Sequence, residues 1–171
     1  MKKLSIEEFV INPYTLIAKD WMLVTAGTKE NDYNTMTASW GHLGSIWGSG
    51  GGKPTAVVYI RPQRYTKQFV DKEPYFSLTF FSEDYRDALN YLGSHSGKDE
   101  DKVAKTNLTP VYDDRAVYFK EAKITLICRK LFAQDLKEES FVDKSIVSKN
   151  YPTKDFHTMY IGEIEEILIN E

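Results

Sequence analysis

Short runs of apolar residues, several alternating strictly with polar ones, recur along the chain and are typical of β-strands. The polar group Thr28–Tyr33 predicts a turn that joins the first two such runs into a hairpin. A glycine at position 162 predicts a bulge in the last run, and the fifth and sixth runs are expected to pair with each other. The predicted strands are Trp21–Gly27, Asn34–Gly41, Thr55–Ile60, Tyr75–Phe81, Val117–Phe119, Glu121–Leu131 and His157–Ile169.

Helical periodicity is confined to short segments between the strands. Tyr85, Ala88, Leu89 and Leu92 form one apolar stripe. The best helix is therefore Glu83–Leu92, which we expect Ser82 to cap and Gly93 to end. Shorter helices are predicted over Lys67–Asp71, capped by Thr66, and over Lys98–Lys105, and Glu138–Tyr151 is expected to be irregular and partly helical. The segment Leu4–Ile17 is expected to be an arm or a short edge element lying on the body.

The segment Gly41–Lys53 contains six glycines and predicts a flexible loop. Its ending, GSGGGK, invites comparison with a phosphate-binding P-loop. The comparison fails, because Pro54 follows Lys53 where Ser or Thr is required and Trp47 stands where the first glycine should be.

This order of elements predicts a mainly β fold. Consecutive strands joined by short turns, with two or three short inserted helices, are typical of an antiparallel β-barrel and not of a doubly wound sheet. At 171 residues the chain is expected to form a single domain over residues 1–171.

Composition narrows the functional classes. The formal net charge of −3 argues against a general nucleic-acid binder, which would usually be basic. The N-terminal sequence lacks an apolar signal region, and no run approaches the roughly 18 apolar residues of a membrane span. With Cys128 as the one cysteine, an internal disulfide is impossible, so we expect a soluble, cytoplasmic protein.

The segment NTMTASWG, Asn34–Gly41, carries an unusual alternation. Thr35, Thr37 and Ser39 share one face, and Met36, Ala38 and Trp40 share the other. A row of short hydroxyl side chains leaves room for a flat or anionic ligand close to the backbone. The alternative is an ordinary sheet edge whose threonines serve β-propensity.

Two further polar segments share its position at a strand end or helix start: the corner Arg61–Thr66, and the turn Ser94–Gly97 with Lys102 beyond it. Together the three segments offer two guanidinium groups, an ammonium group, hydroxyls and backbone N–H groups, which is the set of donors that holds a phosphate. Taken singly, the arginines could be solvated surface charges and the turn could be only a turn.

Several catalytic classes are not indicated. GxSxG and GxGxxG are absent, and the three histidines His42, His95 and His157 lack metal-binding spacing, so no metal site is predicted. His157 is nominated as a catalytic candidate, the alternative being a structural histidine at a strand start.

NTMTASWG, IRPQRYT after an apolar strand, the segment GSHSGKDEDK and the terminal HTMYIGEIEEI together resemble the flavin reductase-like proteins from about Trp21 onward. The resemblance implies an FMN-binding split barrel, usually a homodimer, with non-covalent FMN in a groove near the subunit interface. It implies that Thr35, Met36, Thr37, Ala38, Ser39 and Trp40 lie beside the flavin. It also implies that Arg61, Pro62, Gln63, Arg64, Tyr65 and Thr66 lie at the ring edge and phosphate, and that Ser94, Ser96, Gly97 and Lys102, with His95 in the same turn, complete the anion site.

Three functions are therefore weighed. The first is an oxidoreductase in which FMN accepts hydride from NADH or NADPH and passes electrons to a second flavin or another small acceptor. The second is a flavoredoxin-type FMN electron carrier without its own nicotinamide site, consistent with the absence of a nicotinamide fingerprint. The third, binding of single-stranded nucleic acid by aromatic stacking, is disfavoured by the acidic charge.

Overall fold

The computed structural model describes residues 1–30 and 32–170, and β-strands dominate it, as predicted. The predicted turn residue Asn31 and the last residue, Glu171, lie outside the described residues. The strands are β1 (Lys2–Leu4), β2 (Met22–Gly27), β3 (Tyr33–Ala38), β4 (Gly41–Ile46), β5 (Lys53–Ile60), β6 (Tyr75–Phe80), β7 (Pro110–Tyr112), β8 (Val117–Phe119), β9 (Ile124–Asp135) and β10 (Thr158–Ile169).

Short helices connect these strands. The α-helices are α1 (Pro13–Thr15), which continues into a π-helical turn at Leu16–Asp20, α2 (Thr66–Lys72), α3 (Arg86–Ser94) and α4 (Ser145–Asn150). Single turns of 3₁₀-helix occur at Glu83–Tyr85, Val103–Lys105 and Glu138–Ser140. Among the described residues, none of these helices is both long and apolar enough to cross a membrane.

The main sheet is antiparallel and follows the order β3-β2-β6-β9-β10-β5-β4. Its two end strands, β3 and β4, are separated in sequence only by Ser39 and Trp40. The sheet must therefore curve round until its ends meet, which makes an antiparallel barrel with a split between β3 and β4. The predicted barrel is confirmed, and NTMTASWG is the segment that bridges the split.

Strand β10 pairs with three other strands of the barrel. It pairs with β9 along its length, with β5 through its first half and with β1 through its last three residues. Strand β1 overlaps the predicted N-terminal arm, Leu4–Ile17, only at Leu4. Its register against β9 shifts between Ile161 and Gly162, which confirms the predicted bulge, and again between Ile164 and Glu166.

Apolar residues form two buried clusters on the two faces of β2. Met22, Val24 and Ala26 lie inside the barrel with the side chains of the other strands. Leu23, on the opposite face, packs with Leu89 and other apolar residues of the second cluster. The second cluster fixes α3 against the outside of the sheet beside β3.

The prediction that Gly41–Lys53 is a flexible loop is wrong for its first half. Residues 41–46 form β4, which pairs with β5, and the turn between them is closed by a hydrogen bond from Lys53 N to Trp47 O at 2.6 Å. At Gly41 a Cβ atom would lie 2.6 Å from the Val57 carbonyl oxygen. This glycine therefore permits close strand pairing and is not a sign of flexibility.

The helix boundaries differ from those predicted because tertiary contacts replace local caps. Thr66 lies inside α2, and Ser82 makes no capping bond to the backbone. Helix α3 continues past Gly93 to Ser94, because side chains from elsewhere bind its last carbonyls. The segment predicted as a helix at Lys98–Lys105 is helical only at Val103–Lys105.

The predicted pairing of Val117–Phe119 with the following strand is also wrong. Both edges of β9 are already occupied, by β6 and β10, so β8 instead pairs with β7 in a separate two-stranded sheet. The segment Glu138–Tyr151 contains α4, in agreement with the prediction of partial helix.

Candidate functional site

The segment NTMTASWG has the predicted alternation, but its hydroxyl face is not open. Thr35 is fully buried, with its Oγ1 atom 2.8 Å from that of Thr25, and Thr37 donates a hydrogen bond to Leu89 O of α3 at 2.5 Å. The hydroxyls of Thr35 and Thr37 are thus engaged by Thr25 of β2 and by α3, and the predicted room for a ligand is absent at Thr35. What the segment presents is its later part, around Ser39 and Trp40.

A groove of about 220 Å³ lies along this segment. The groove is lined by Met36, Thr37, Ala38, Ser39, Trp40, Tyr59, Arg61, Arg64 and His157. Residues from β3 and the link after it, from β5 and the corner after it, and from the position just before β10 thus meet in one place. The predicted first and second segments and His157 share this surface.

The third predicted segment, the Ser94–Gly97 turn with Lys102, adjoins this surface through the C-terminal end of α3. Arg64 Nη1 donates to Gly93 O at 2.8 Å, while Lys102 Nζ donates to Leu92 O at 2.8 Å and to His95 O at 2.9 Å. The carbonyl end of a helix attracts positive charge, so this arrangement is favourable. Two cations from distant parts of the sequence are thereby held beside the Ser94–Gly97 turn.

These two cations are close enough to repel each other. Lys102 is only 3% exposed, and burial, followed by the positive charge of Arg64, lowers its pKa to about 8. Burial also lowers the pKa of Arg64. Among the described residues, neither side chain has a carboxylate within ion-pair distance. An anion bound between them would relieve the repulsion.

Asn34 links the same three segments and was missed as a site residue. Its Nδ2 donates to Thr66 Oγ1 at 2.7 Å, and Gly97 lies directly against its amide group. In the sequence, only the position of Asn34 at the start of NTMTASWG indicated that it belongs to the site.

Arg61 and Gln63 are engaged differently from Arg64. Arg61 pairs with Asp155 at 2.5 Å, donates to Asn150 O at 2.8 Å and lies over the Tyr151 ring. Gln63 donates to Asp155 at 2.8 Å, and the hydrogen bonds from Gln63 and Arg61 hold the pKa of Asp155 well below its usual range. Both side chains therefore hold the connection before β10, and of the two arginines Arg64 is the one without a carboxylate partner among the described residues.

The remaining corner residues are structural neighbours of the groove. Pro62 lies in a turn closed by a hydrogen bond from Arg64 N to Arg61 O at 3.1 Å. Tyr65 precedes α2 and packs edge-on against Phe69, with ring centroids 5.2 Å apart. Neither contributes to the lining of the groove.

His157 is 7% exposed at the wall of the groove. Its Nδ1 atom lies 2.8 Å from the Tyr151 hydroxyl, and its ring packs against Trp40 at 5.1 Å. Burial, and then the positive charge of Arg61, lowers the pKa of His157 to about 4. The imidazole is consequently neutral near pH 7 and can accept or donate a hydrogen bond without carrying charge.

The side chains of the Ser94–Gly97 turn make different contacts. The Ser94 hydroxyl donates to Asn90 O at 2.8 Å, and His95 stacks on Tyr91 with centroids 3.9 Å apart, so both turn toward α3. Ser96 Oγ accepts from Lys98 N at 3.2 Å, and its hydroxyl proton has no acceptor among the described residues.

Sequence reasoning did not single out Tyr59, which lines the groove, Tyr151, which contacts His157 and Arg61, or Asp155, which binds Arg61. Tyr59 is one residue of a predicted apolar strand. Tyr151 is the last residue of the segment predicted to be irregular, and Asp155 follows that segment. Among the described residues, no group of three or more His, Cys, Asp or Glu side chains is arranged to hold a metal ion.

Comparisons with known proteins agree with this geometry. The family described as "Flavin reductase like domain" matches residues 14–171. No protein among those with curated descriptions matches the sequence significantly.

Similar solved structures share the fold at low identity. Flavoredoxin of Desulfovibrio vulgaris (Miyazaki F) is 23% identical with a TM-score of 0.67, and the match covers 100% of this chain and 78% of that one. An FMN-binding protein from Thermus thermophilus with bound p-hydroxybenzaldehyde is 20% identical with a TM-score of 0.66, covering 100% and 83%. An NADH:FAD oxidoreductase from Streptomyces globisporus in complex with NAD and FAD fragments is 16% identical with a TM-score of 0.62, covering 88% and 74%. Because the family match spans most of the sequence, the chain belongs to the flavin reductase-like domain family of flavin-related oxidoreductases.

Proposed function

We propose that the chain binds FMN non-covalently in the groove and acts as an NAD(P)H-dependent flavin reductase-type oxidoreductase. FMN would accept hydride from NADH or NADPH and deliver electrons to a second flavin or another small acceptor. The observation that carries the proposal is the convergence of Arg64 and Lys102 at the end of α3, beside a groove walled by Trp40 and His157.

The donors at the end of α3 fit a phosphate group. Among the described residues, the Arg64 side chain uses one of its five N–H groups in a hydrogen bond, and Lys102 uses two of its three on carbonyl groups at the end of α3. The remaining N–H groups and the Ser96 hydroxyl are the donors that an anion requires. With burial and mutual repulsion acting on both cations, a dianionic phosphate would be bound more strongly here than at a solvated surface.

The groove itself fits the edge of a flat ring. Strand β3 is an edge strand of the sheet, so part of its backbone N–H and C=O row is free to bind a ligand. Hydrogen bonds of this kind tune the reactivity of a flavin, whereas the hydride and electron chemistry is supplied by the flavin when it is bound. The neutral His157, oriented by Tyr151, would hold a hydrogen bond at the ring or at the nicotinamide.

A flavoredoxin-type electron carrier is the second candidate. One observation favours it: the fold match to the Desulfovibrio flavoredoxin extends over the whole chain, whereas the match to the Streptomyces reductase covers 88%. Such a carrier would hold FMN in the same groove and exchange electrons with a partner protein.

Anaerobic mixing of the FMN-loaded protein with NADH or NADPH separates the two. The reductase proposal predicts loss of the visible flavin absorption with one or both nucleotides alone. Reduction only after addition of a separate reductase would contradict the reductase proposal and support the carrier.

A further inference from the structure

A larger cavity of about 780 Å³ borders the groove, and the two share Ser39, Trp40 and Tyr59 as walls. We call it the aromatic cavity. Its other walls include Tyr14, Ile17 and Tyr151. This volume is within the range of pockets that enclose a small organic ligand.

The aromatic cavity differs from the groove in charge. Among the described residues that line it, Lys, Arg, Asp and Glu are all absent, whereas the groove has Arg61 and Arg64. A charged group placed in the cavity would lose hydration without meeting an opposite charge. The cavity therefore suits a neutral ring system and not the phosphate-bearing part of a nucleotide.

One side of the cavity carries two polar groups. Tyr59 on β5 and His42 on β4 face each other, with the hydroxyl 3.4 Å from Nδ1 and the rings edge to face. This separation is long for a hydrogen bond, so little is lost when either group turns to a ligand. Burial raises the pKa of Tyr59, which keeps its hydroxyl protonated as a donor. A carbonyl oxygen is the ligand atom that such a donor would bind.

We propose that the aromatic cavity binds the electron acceptor, and that this acceptor is a neutral, planar carbonyl compound of the quinone class. The inference rests on the proposed function, which puts the flavin in the adjoining groove. A quinone becomes a hydroquinone by taking up two electrons and two protons, which balances what a fully reduced flavin gives up in returning to its oxidised form.

Binding is tested by isothermal titration calorimetry with no electron donor present, so that no turnover occurs. Two samples are titrated: the protein with oxidised FMN and the FMN-free protein. The probes are menadione, a neutral naphthoquinone, and naphthoquinone sulfonate, an anionic analogue with the same ring system. Cys128, the one cysteine, is buried, so addition of the quinone to a thiol does not interfere. We expect menadione to bind at least about tenfold more tightly than the sulfonate, because the cavity offers no cation.

Two variants locate the site. Tyr14→Ala removes a wall of the aromatic cavity that is not shared with the groove, and should weaken menadione binding about fivefold or more while leaving FMN affinity unchanged. Tyr112→Ala removes another exposed tyrosine, on β7, and should change neither. Tyr59→Phe keeps the ring and should weaken menadione but not methylnaphthalene, which has no carbonyl group.

Equal affinity for the sulfonate, or menadione affinity that is insensitive to Tyr14→Ala, would overturn the inference. So would an absence of binding accompanied by a monomer–dimer equilibrium that Tyr14→Ala shifts, since a second copy of the chain would then occupy the cavity. Menadione binding to a protein that never binds FMN would contradict the proposed function and still support the site.

Discussion

Arg64 is the residue on which the proposed anion site depends most. The neighbouring Arg61 is neutralised by Asp155, whereas the Arg64 side chain, among the described residues, hydrogen-bonds only the Gly93 carbonyl. Its guanidinium keeps the forked N–H geometry that binds phosphate.

We predict that Arg64→Ala weakens FMN binding by roughly 1.5–3 kcal/mol, the range of a charge-assisted hydrogen bond. Fluorescence titration of FMN into the purified variant measures this. Arg86→Ala, which removes an arginine that bonds Glu83 outside the groove, is the matched control and should bind FMN as the wild type does. Unchanged affinity in Arg64→Ala would place the phosphate elsewhere.

His157 gives the second prediction, which concerns stability and pH. Its pKa is about 4 in the folded chain against an ordinary 6.5, so the unfolded chain takes up the proton first. The stability associated with the neutral imidazole is therefore complete above pH 6.5 and is lost as the pH falls toward 4. Between pH 7 and pH 5 this group alone should lower the free energy of unfolding by up to about 2 kcal/mol.

Urea unfolding at pH 7 and pH 5 measures that loss. His157→Gln should show a smaller drop than the wild type, whereas His42→Gln, which replaces an exposed histidine, should retain the wild-type drop. An identical drop in wild type and His157→Gln would mean that His157 titrates normally in the folded protein.

At the scale of elements, the end of α3 is where the sheet, the Arg61–Thr66 corner and the Ser94–Gly97 turn meet. Lys102 is placed to act there through its charge, and its pKa of about 8 makes that charge sensitive to pH. Above pH 8 the ammonium loses its proton and with it the attraction for a phosphate.

We therefore predict that FMN affinity falls by up to about tenfold between pH 7 and pH 9. Riboflavin, which lacks the phosphate, should bind with little pH dependence over the same range. Lys102→Met should bind FMN more weakly and flatten the pH profile. A wild-type profile that is already flat would show that Lys102 only fastens α3.

The bulge in β10 gives a prediction about folding. A Cβ atom at Gly162 would lie 2.7 Å from the buried Phe76 ring and 3.0 Å from Cys128 Cβ. We predict that Gly162→Ala lowers the free energy of unfolding by about 1–3 kcal/mol, the cost of overpacking a core. Gly44→Ala, at a strand position with no atom within 4 Å of the new methyl group, is the control and should be close to neutral in chemical denaturation. Equal stability of the two variants would contradict the tight packing at the bulge.

Most strand positions were predictable because they depend on local apolar and alternating patterns, as along β10 with its bulge at Gly162, whereas β1, β4 and β7 were not predicted. Gly41 was misjudged because the sequence does not show the strand against which it packs. The same limit applies to Thr35, whose hydroxyl is covered by Thr25 of the neighbouring strand. Arg61 and Arg64 look equivalent in the sequence, and only the approach of Asp155, 94 residues beyond Arg61, makes them different.

At the scale of the whole molecule, we propose that two copies assemble. The family resemblance implies a homodimer, and Trp47 and Phe132 remain 46% and 37% exposed while packing against each other. Exposed apolar contacts of this kind often mark an interface. Sedimentation velocity should give the mass of a dimer, and a monomer at all accessible concentrations would contradict the proposal.

The barrel architecture explains why one short segment can organise the site. NTMTASWG connects the two edges of the curved sheet, so the groove, the aromatic cavity and the end of α3 all lie around it. The central claim is that this arrangement holds a flat ring with an anionic tail.

The most direct test is an equilibrium titration of the purified protein with FMN, with riboflavin in parallel. We predict saturable binding of one FMN per chain, a perturbed flavin absorption spectrum, and weaker binding of riboflavin because it lacks the phosphate. Protein that stays colourless after dialysis from excess FMN, or that binds FMN and riboflavin equally, would contradict the claim.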